Sequence, residues 1–454
     1  MRFPKKYVAV AVSLLLVLPF AAESGARRRV RERTTELAPG VTYTVVRDYS
    51  GPFRIRYVSV DLAAGATLDT VLAQEKLPKF ETTSSMAQRT GALVAINGDY
   101  AKTNGRPVHT FAADGDLAQT PLAWGRNFST TFDESGTYIG HPQETVEVTE
   151  VDSGTVYPIS KVNYSDTSIA SDEIRLFTKR GAGAARAPSG HCLVRLQPFE
   201  SPHLAEDGSG TVEQAFGVEL VRCGGRSLRP QGGVILAATL DSVYRLQLEA
   251  MTPGEEISLR WSISWPNVLD TIGGNPTLME AGQIVTTNVQ PQPGQSTAFF
   301  SRHPRTGVGT TPDGRVLLVT VDGRQPGYSV GMTLQEFAQL FQVLGADYAL
   351  NLDGGGSTTL AINGQVVNRP SDQYPDETYG LERAVSSALV VLPGADPGEQ
   401  PATVPTSTLP VTTDDIGDLV ARDPASTGGM LEAMLTAGYH LSPDLRSIVR
   451  TFRH

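Results

Sequence analysis

Along residues 41–62 apolar and polar side chains alternate. Val41-Thr-Tyr-Thr-Val-Val46 and the run from Phe53 to Leu62 both follow a period of two, which predicts half-buried β-strands. Ile257 to Ile263 alternates in the same way, and the stretch of about 125–270 reads as strand-rich, with 201–212 as a surface insertion. Ala92–Ile96 is an unbroken apolar run, the mark of a buried strand, and it leads into Asn97-Gly98. Thr82 to Arg89 predicts a short helix. The period changes at Thr333. Leu334, Phe337, Ala338, Phe341 and Leu344 share one helical face, Thr333 and Glu336 form a capping-box pair, and Gly345 is placed to end the helix. Strands at Val316–Val321 and Tyr348–Asp353 flank this helix, so a crossover unit is expected, with Asp322 and Asp353 at the same end. Open α/β sheets bind ligands at that edge. The expected fold is therefore α/β (mixed α+β): a central mixed β-sheet with flanking helices and a strand-rich insertion. It forms a single catalytic domain over 41–393, with its motif core at 273–393 and Ala384–Leu392 as the closing strand.

The ends read differently. Arg2, Lys5 and Lys6 precede an apolar run over 7–20, and Ser24-Gly25-Ala26 supplies small residues, so 1–26 is expected to be a signal peptide. The run is short of the roughly 20 residues that span a bilayer. The protein is thus expected to be secreted or extracytoplasmic, with association with the cell envelope as an alternative, and to meet a membrane only if this segment stays uncleaved. Residues 27–40 read as a flexible, Arg-rich lead, 394–415 as a Pro/Thr-rich linker and 416–454 as a short helical tail.

Composition adds three constraints. The 454 residues include 45 Gly and 30 Pro, which implies many turns and short strands. A net charge of −10 argues against nucleic acid as a partner. The two cysteines, Cys192 and Cys223, predict a disulfide in an exported chain. The seven histidines show no metal-type spacing. No metal or cofactor is required, although clustered Asp and Asn oxygens could hold Ca²⁺ or Mg²⁺.

Chemistry concentrates at strand ends. Asp353-Gly-Gly-Gly-Ser-Thr-Thr359 sets a carboxylate beside three glycines and three hydroxyls. Such a segment is either a tight turn or an anion cradle built from backbone N–H groups. Asp322-Gly323-Arg324 offers a second carboxylate and a guanidinium suited to phosphate, or a plain β-turn. Arg302, His303 and Arg305 form a basic cluster that reads equally as a solvated loop.

Eight motifs in order resemble the phosphodiester glycosidase family. They are Ala92-Leu-Val-Ala-Ile-Asn-Gly98, Gly273-Gly-Asn-Pro-Thr-Leu278, His303-Pro-Arg-Thr-Gly-Val-Gly309, Val321-Asp-Gly-Arg324, Gly331-Met-Thr-Leu-Gln-Glu336, Asn351-Leu-Asp-Gly-Gly-Gly-Ser-Thr-Thr359, Asn368-Arg-Pro-Ser-Asp372 and Glu382-Arg-Ala-Val-Ser386. The resemblance covers roughly 41–393 and is sharpest over 303–390. It implies hydrolysis of a sugar-1-phosphate diester, GlcNAc-1-phosphodiester-like, at the glycosidic side, releasing sugar and a phosphomonoester. The implied partner is a phosphorylated or phosphodiester-linked glycan. Asp353 is then the first catalytic carboxylate, with Glu382 or Asp322 the second. The substrate contacts would be Asn97, Asp99, His109, Arg305, Arg324, Asn351, Gly354, Gly355, Gly356, Ser357, Thr358, Asp372 and Arg383. One position departs from the family pattern. Its first motif usually reads Asn-Gly-Gly followed by aromatics, and here Asp99 and Tyr100-Ala101 replace part of it. Two other readings remain open: a hydrolase of cell-wall or exopolysaccharide glycosides, and a non-catalytic glycan-binding or exopolysaccharide-assembly protein.

Overall fold

A computed structural model describes residues 30–394, apart from residue 50 and the stretches 122–127, 134–135, 141–142, 165–167, 182–188 and 264. The segments expected as signal peptide and helical tail, and the linker beyond Gly394, lie outside the described residues. Val30–Ala38, expected within a flexible lead, is instead an edge strand paired antiparallel with Val41–Asp48. Among the described residues no helix is long and apolar enough to cross a membrane.

The expected α/β architecture does not form. Strand accounts for 44% of the structure and helix for 12%, and the longest of the four described α-helices is Leu334–Val343. An α/β sheet needs a helix in most of its connections. Here the strands are joined mainly by turns, and every pairing in the site-bearing sheet is antiparallel. That eight-stranded sheet runs in the order Val30–Ala38, Val41–Asp48, Phe53–Val60, Val316–Val321, Arg305–Thr310, Tyr348–Asn351, Thr277–Glu280, Gln283–Ile284. The crossover around Leu334–Val343 is real, but Arg305–Thr310 inserts between the two strands it joins. Because both pair antiparallel with this insert, they point the same way, and Asp322 and Asp353 follow their ends.

Apolar side chains explain the layering. Val58, Val60, Val308, Val316, Leu318 and Leu350 pack against Leu72, Val94, Ile96, Leu360, Leu389 and Val391 of a second, five-stranded sheet. On the opposite face Leu317, Val319 and Val321 pack against Leu334, Phe337, Ala338 and Phe341 of the helix. Val316–Val321 is thus buried on both sides, which is why five of its six residues are apolar. The helix begins with the expected capping box, Thr333 with Glu336. Its two phenylalanine rings lie over Gly307 and Gly309, where a Cβ would come within 2.9 Å of Phe337 Cε1 and 2.8 Å of Phe341 Cδ1. The Thr-Gly-Val-Gly run therefore supplies a groove for the helix. The second sheet carries Thr83–Thr90 on its outer face, through Met86 and Ala87.

The middle of the chain forms a nine-stranded sheet with its own core. Cys192 and Cys223 lie directly opposite each other on neighbouring strands there and form the expected disulfide.

Candidate functional site

The site lies where Val316–Val321 and Tyr348–Asn351 end and Arg305–Thr310 begins. Asn97, from the second sheet, ties this edge together. Its Nδ2 donates to Asp353 O at 2.6 Å. Its Oδ1 accepts from Thr306 Oγ1 at 2.8 Å and Thr359 N at 3.1 Å. Asp353 N donates to Gly98 O at 3.1 Å. Asn351 donates through Nδ2 to Asn275 O at 2.8 Å and lies 2.6 Å from Tyr100 Oη, which itself donates to Asn275 O. Both asparagines therefore hold the backbone around Asp353.

Each of the three glycines has a separate steric reason. At Gly354 a Cβ would lie 2.8 Å from Pro304 O. Gly355 has φ +64°, and a Cβ there would lie 2.9 Å from Arg324 Nη2. At Gly356 a Cβ would meet Arg383 Nη2 at 2.2 Å and Asp372 Oδ1 at 2.3 Å. The loop is a close-packed turn under two guanidinium groups. Its amides are mostly spent: Gly354 N donates to Asp353 Oδ1 at 2.9 Å and Gly355 N to Pro304 O at 3.0 Å. With these two amides of the glycine run spent, charge from the arginines, rather than a backbone nest, dominates the concavity.

Electrostatics single out Asp353. Burial pushes its carboxyl up to about 6, and Asp99 adds to the rise. Ser357, the Gly354 amide and Arg383 oppose it. Burial of Arg305 lowers its guanidinium to about 10, which still leaves it charged at neutral pH. Arg305 donates to three backbone carbonyls, Met332, Phe299 and Ser301, at 3.0, 2.9 and 2.8 Å. Among the described residues neither Arg305 nor Arg324 has a carboxylate partner. Arg324 holds φ +60° and donates through Nε to His303 Nδ1 at 3.2 Å. A left-handed conformation is uncommon for a residue of this size.

The other expected residues fall into different settings. Asp322 is buried and committed: it accepts from Arg56 Nη1 at 2.6 Å, Tyr328 Oη at 3.1 Å, Asn368 Nδ2 at 3.0 Å and Arg369 N at 3.2 Å. Glu382 turns away to the start of helix Thr83–Thr90, where it accepts from Ser84 N at 2.8 Å. Asp372 and Arg383 form a two-pronged pair at 2.7 and 2.8 Å that walls the glycine turn. Asp99 accepts from the amides of Val108 and His109 and meets His109 Nδ1 at 2.6 Å. Burial alone would lower the His109 pKa, but the Asp99 carboxylate outweighs it and the net shift is upward. Thr358 is fully buried behind the turn. One group of three carboxylates among the described residues, Asp69, Asp114 and Asp270, has the spacing to hold a metal ion. It contains none of the site residues, and burial, with Asp69 beside it, raises the Asp270 carboxyl above the usual carboxylate range.

Sequence reasoning missed Arg56 and Tyr328, gave no role to Asn368 although it opens a quoted motif, and so missed what neutralises and anchors Asp322; it also missed Asn275, whose carbonyl receives Tyr100 and Asn351. Asn275 precedes a cis proline, and the Asn-Pro pair inside a quoted motif was its one available signal. His303 stands in the basic cluster and opens one of the quoted motifs, but the sequence assigns it no role at the site.

The chain's relatives fit this geometry. Residues 224–392 match the phosphodiester glycosidase family. The bovine N-acetylglucosamine-1-phosphodiester alpha-N-acetylglucosaminidase is 32% identical over 242 residues, 46% of this chain and 45% of that protein. The chain thus spans less than half the length of this relative. Two solved structures share the fold: a hypothetical protein from Synechocystis and a Burkholderia pseudomallei protein described as exported. The first has a TM-score of 0.56 at 22% identity, covering 78% of this chain and 62% of the other. The second has a TM-score of 0.57 at 18% identity, covering 81% and 97%. Residues 224–392, which carry Arg305, Arg324, Asp353 and the glycine turn, are thus the part of the chain that is similar to the phosphodiester glycosidase family.

Proposed function

We propose that the protein hydrolyses sugar-1-phosphate diesters, of the GlcNAc-1-phosphodiester type, at the glycosidic bond, and that it does so outside the cytoplasm. The observation that carries the reading is the pairing of one half-buried, high-pKa carboxylate, Asp353, with two arginines that lack carboxylate partners among the described residues, Arg305 and Arg324. The family match and the name of the bovine relative support the reaction class. The disulfide supports an oxidising compartment.

In this mechanism the diester's phosphate lies against Arg324, in the field of Arg305, with the anomeric carbon towards Asp353. Asp353 takes a proton from water as the water oxygen attacks the anomeric carbon, or attacks that carbon itself. The bond from the anomeric carbon to the phosphate oxygen breaks, and its electron pair leaves with the phosphomonoester. The second pKa of that leaving group is about 6, so it needs little help from a general acid. This suits a site in which Asp322 and Glu382, the other two candidate carboxylates, are already committed. The main demand is stabilisation of charge growing on the phosphate, the role of Arg324. Asn97, Asn351 and the Asp372–Arg383 pair hold the frame, and Ser357 spends its hydroxyl proton on Asp353. Asp99 and His109 sit towards the sugar side, where the sequence departs from the family pattern. The test is hydrolysis of a GlcNAc-1-phosphodiester by the wild type and by Asp353→Asn. Loss of turnover in a folded variant is expected; an active Asp353→Asn enzyme would remove the carboxylate from the mechanism.

A further inference from the structure

We propose that His303 is a positioning residue, whose unprotonated Nδ1 holds the Arg324 guanidinium in its anion-binding pose. The inference rests on the phosphodiester reading for its consequence in turnover, but its geometry stands apart from it. Arg324 Nε lies 3.2 Å from His303 Nδ1. A guanidinium only donates, so Nδ1 must accept, and the ring proton must sit on Nε2. The other side of the ring agrees: Nε2 is 2.8 Å from the carbonyl oxygen of Ala298, which only accepts, and 3.1 Å from Ser301 Oγ. The two contacts specify one neutral tautomer from opposite ends.

The backbone that carries the imidazole is also fixed. His303 N donates to Met332 O at 3.2 Å and Met332 N returns to His303 O at 3.0 Å. Gly331, at φ +81°, passes so close that a Cβ would lie 2.4 Å from His303 O. Arg324, in contrast, is exposed and among the described residues spends only its Nε on a protein acceptor. The tip carrying Nη1 and Nη2 lies over Gly355, where those atoms are 3.0 and 2.9 Å from the place of a Cβ. One hydrogen bond to a rigid acceptor therefore turns a mobile side chain into a preorganised fork, and reduces the ordering cost of binding.

The arrangement is sensitive to acid. Protonation puts a hydrogen on Nδ1, breaks the contact and sets two cations face to face. The charged groups around the ring are Arg324 and Arg305, and the remaining contacts, Ala298, Ser301 and Met332, are neutral. Burial and these two arginines hold the His303 pKa below its usual value, so the contact survives at neutral pH.

The experiment uses the full chain and four forms: wild type, His303→Leu, Arg324→Gln and the double variant. His303→Asn is added as rescue, because its Oδ1 offers an acceptor at the same distance along the side chain and does not titrate. Binding of inorganic phosphate is measured by calorimetry from pH 5 to 8, alongside KM and kcat on a GlcNAc-1-phosphodiester. Nitrogen chemical shifts of the imidazole report the tautomer. His303→Leu should weaken phosphate binding and raise KM by about tenfold, while Arg324→Gln adds little further loss on top of it. His303→Asn should recover most of the binding and flatten its decline towards acid pH. Wild-type binding at full strength in His303→Leu, fully additive losses, or a ring protonated at Nδ1 at pH 7.5 would overturn the proposal. Coupled phosphate binding without any diester turnover would refute the proposed reaction and leave the positioning role standing. Turnover without coupling would do the reverse.

Discussion

Removing the charge of Asp353 should make the protein more stable as it makes it inactive. The Asp353 carboxyl moves from 3.8 to about 6 on folding, mainly through burial. A folded-state pKa above the unfolded value means that the folded state binds the proton more tightly. The protonated form is favoured in full below pH 3.8, and that advantage is lost as pH rises through about 6. Two units, at about 1.4 kcal/mol each, put the cost of the ionised carboxylate near 3 kcal/mol at pH 7.5. Asp353→Asn is neutral at every pH and avoids that cost. Its side-chain oxygen can still accept from the Gly354 amide, so the gain expected is about 2–3 kcal/mol. Urea unfolding at pH 7.5 and at pH 4, on both proteins, reads the effect. The variant should be the more stable at pH 7.5, with most of the difference gone at pH 4. Equal stability at both pH values, or a less stable variant at pH 7.5, would refute the claim that burial dominates this carboxylate.

Other outcomes follow from the same geometry. Diester hydrolysis should rise with pH through about 6, as Asp353 loses its proton, and a rate profile flat from pH 5 to 8 would speak against Asp353 as the base. Gly355→Ala should cost about 1–2 kcal/mol through its positive φ, and should also raise KM, because the new methyl displaces Arg324; denaturation and steady-state kinetics separate the two effects. Opening Cys192–Cys223 by substituting both residues with Ala should lower stability by about 3 kcal/mol and leave KM unaltered, since the bridge lies in the nine-stranded sheet, and a changed KM would place that sheet in the site.

The strands and the helix Leu334–Val343 were legible because their apolar spacing maps directly onto burial. The sheet order was not. Nothing local in Arg305–Thr310 shows that it slips between Val316–Val321 and Tyr348–Asn351; its two glycines make sense only once Phe337 and Phe341 are placed over them. One well-formed helix between two strands therefore suggested an α/β sheet in a chain that is mostly strand. The candidate site was legible as a set of residues, but their tasks were not. Asp322 and Asp353 look alike in sequence, each followed by glycine after an apolar strand. Arg56, over 260 residues away in the chain, neutralises the first, while burial without such a partner raises the second. Long-range partners of this kind leave no trace in local spacing.

Two bonds of the diester could break, the one at the anomeric carbon or the one at phosphorus. Hydrolysis of a GlcNAc-1-phosphodiester in ¹⁸O-labelled water distinguishes them most directly. Attack at the anomeric carbon near Asp353 puts the label in the released sugar and leaves the phosphomonoester unlabelled. Label in the phosphate would mean cleavage between phosphorus and oxygen, and would contradict the account.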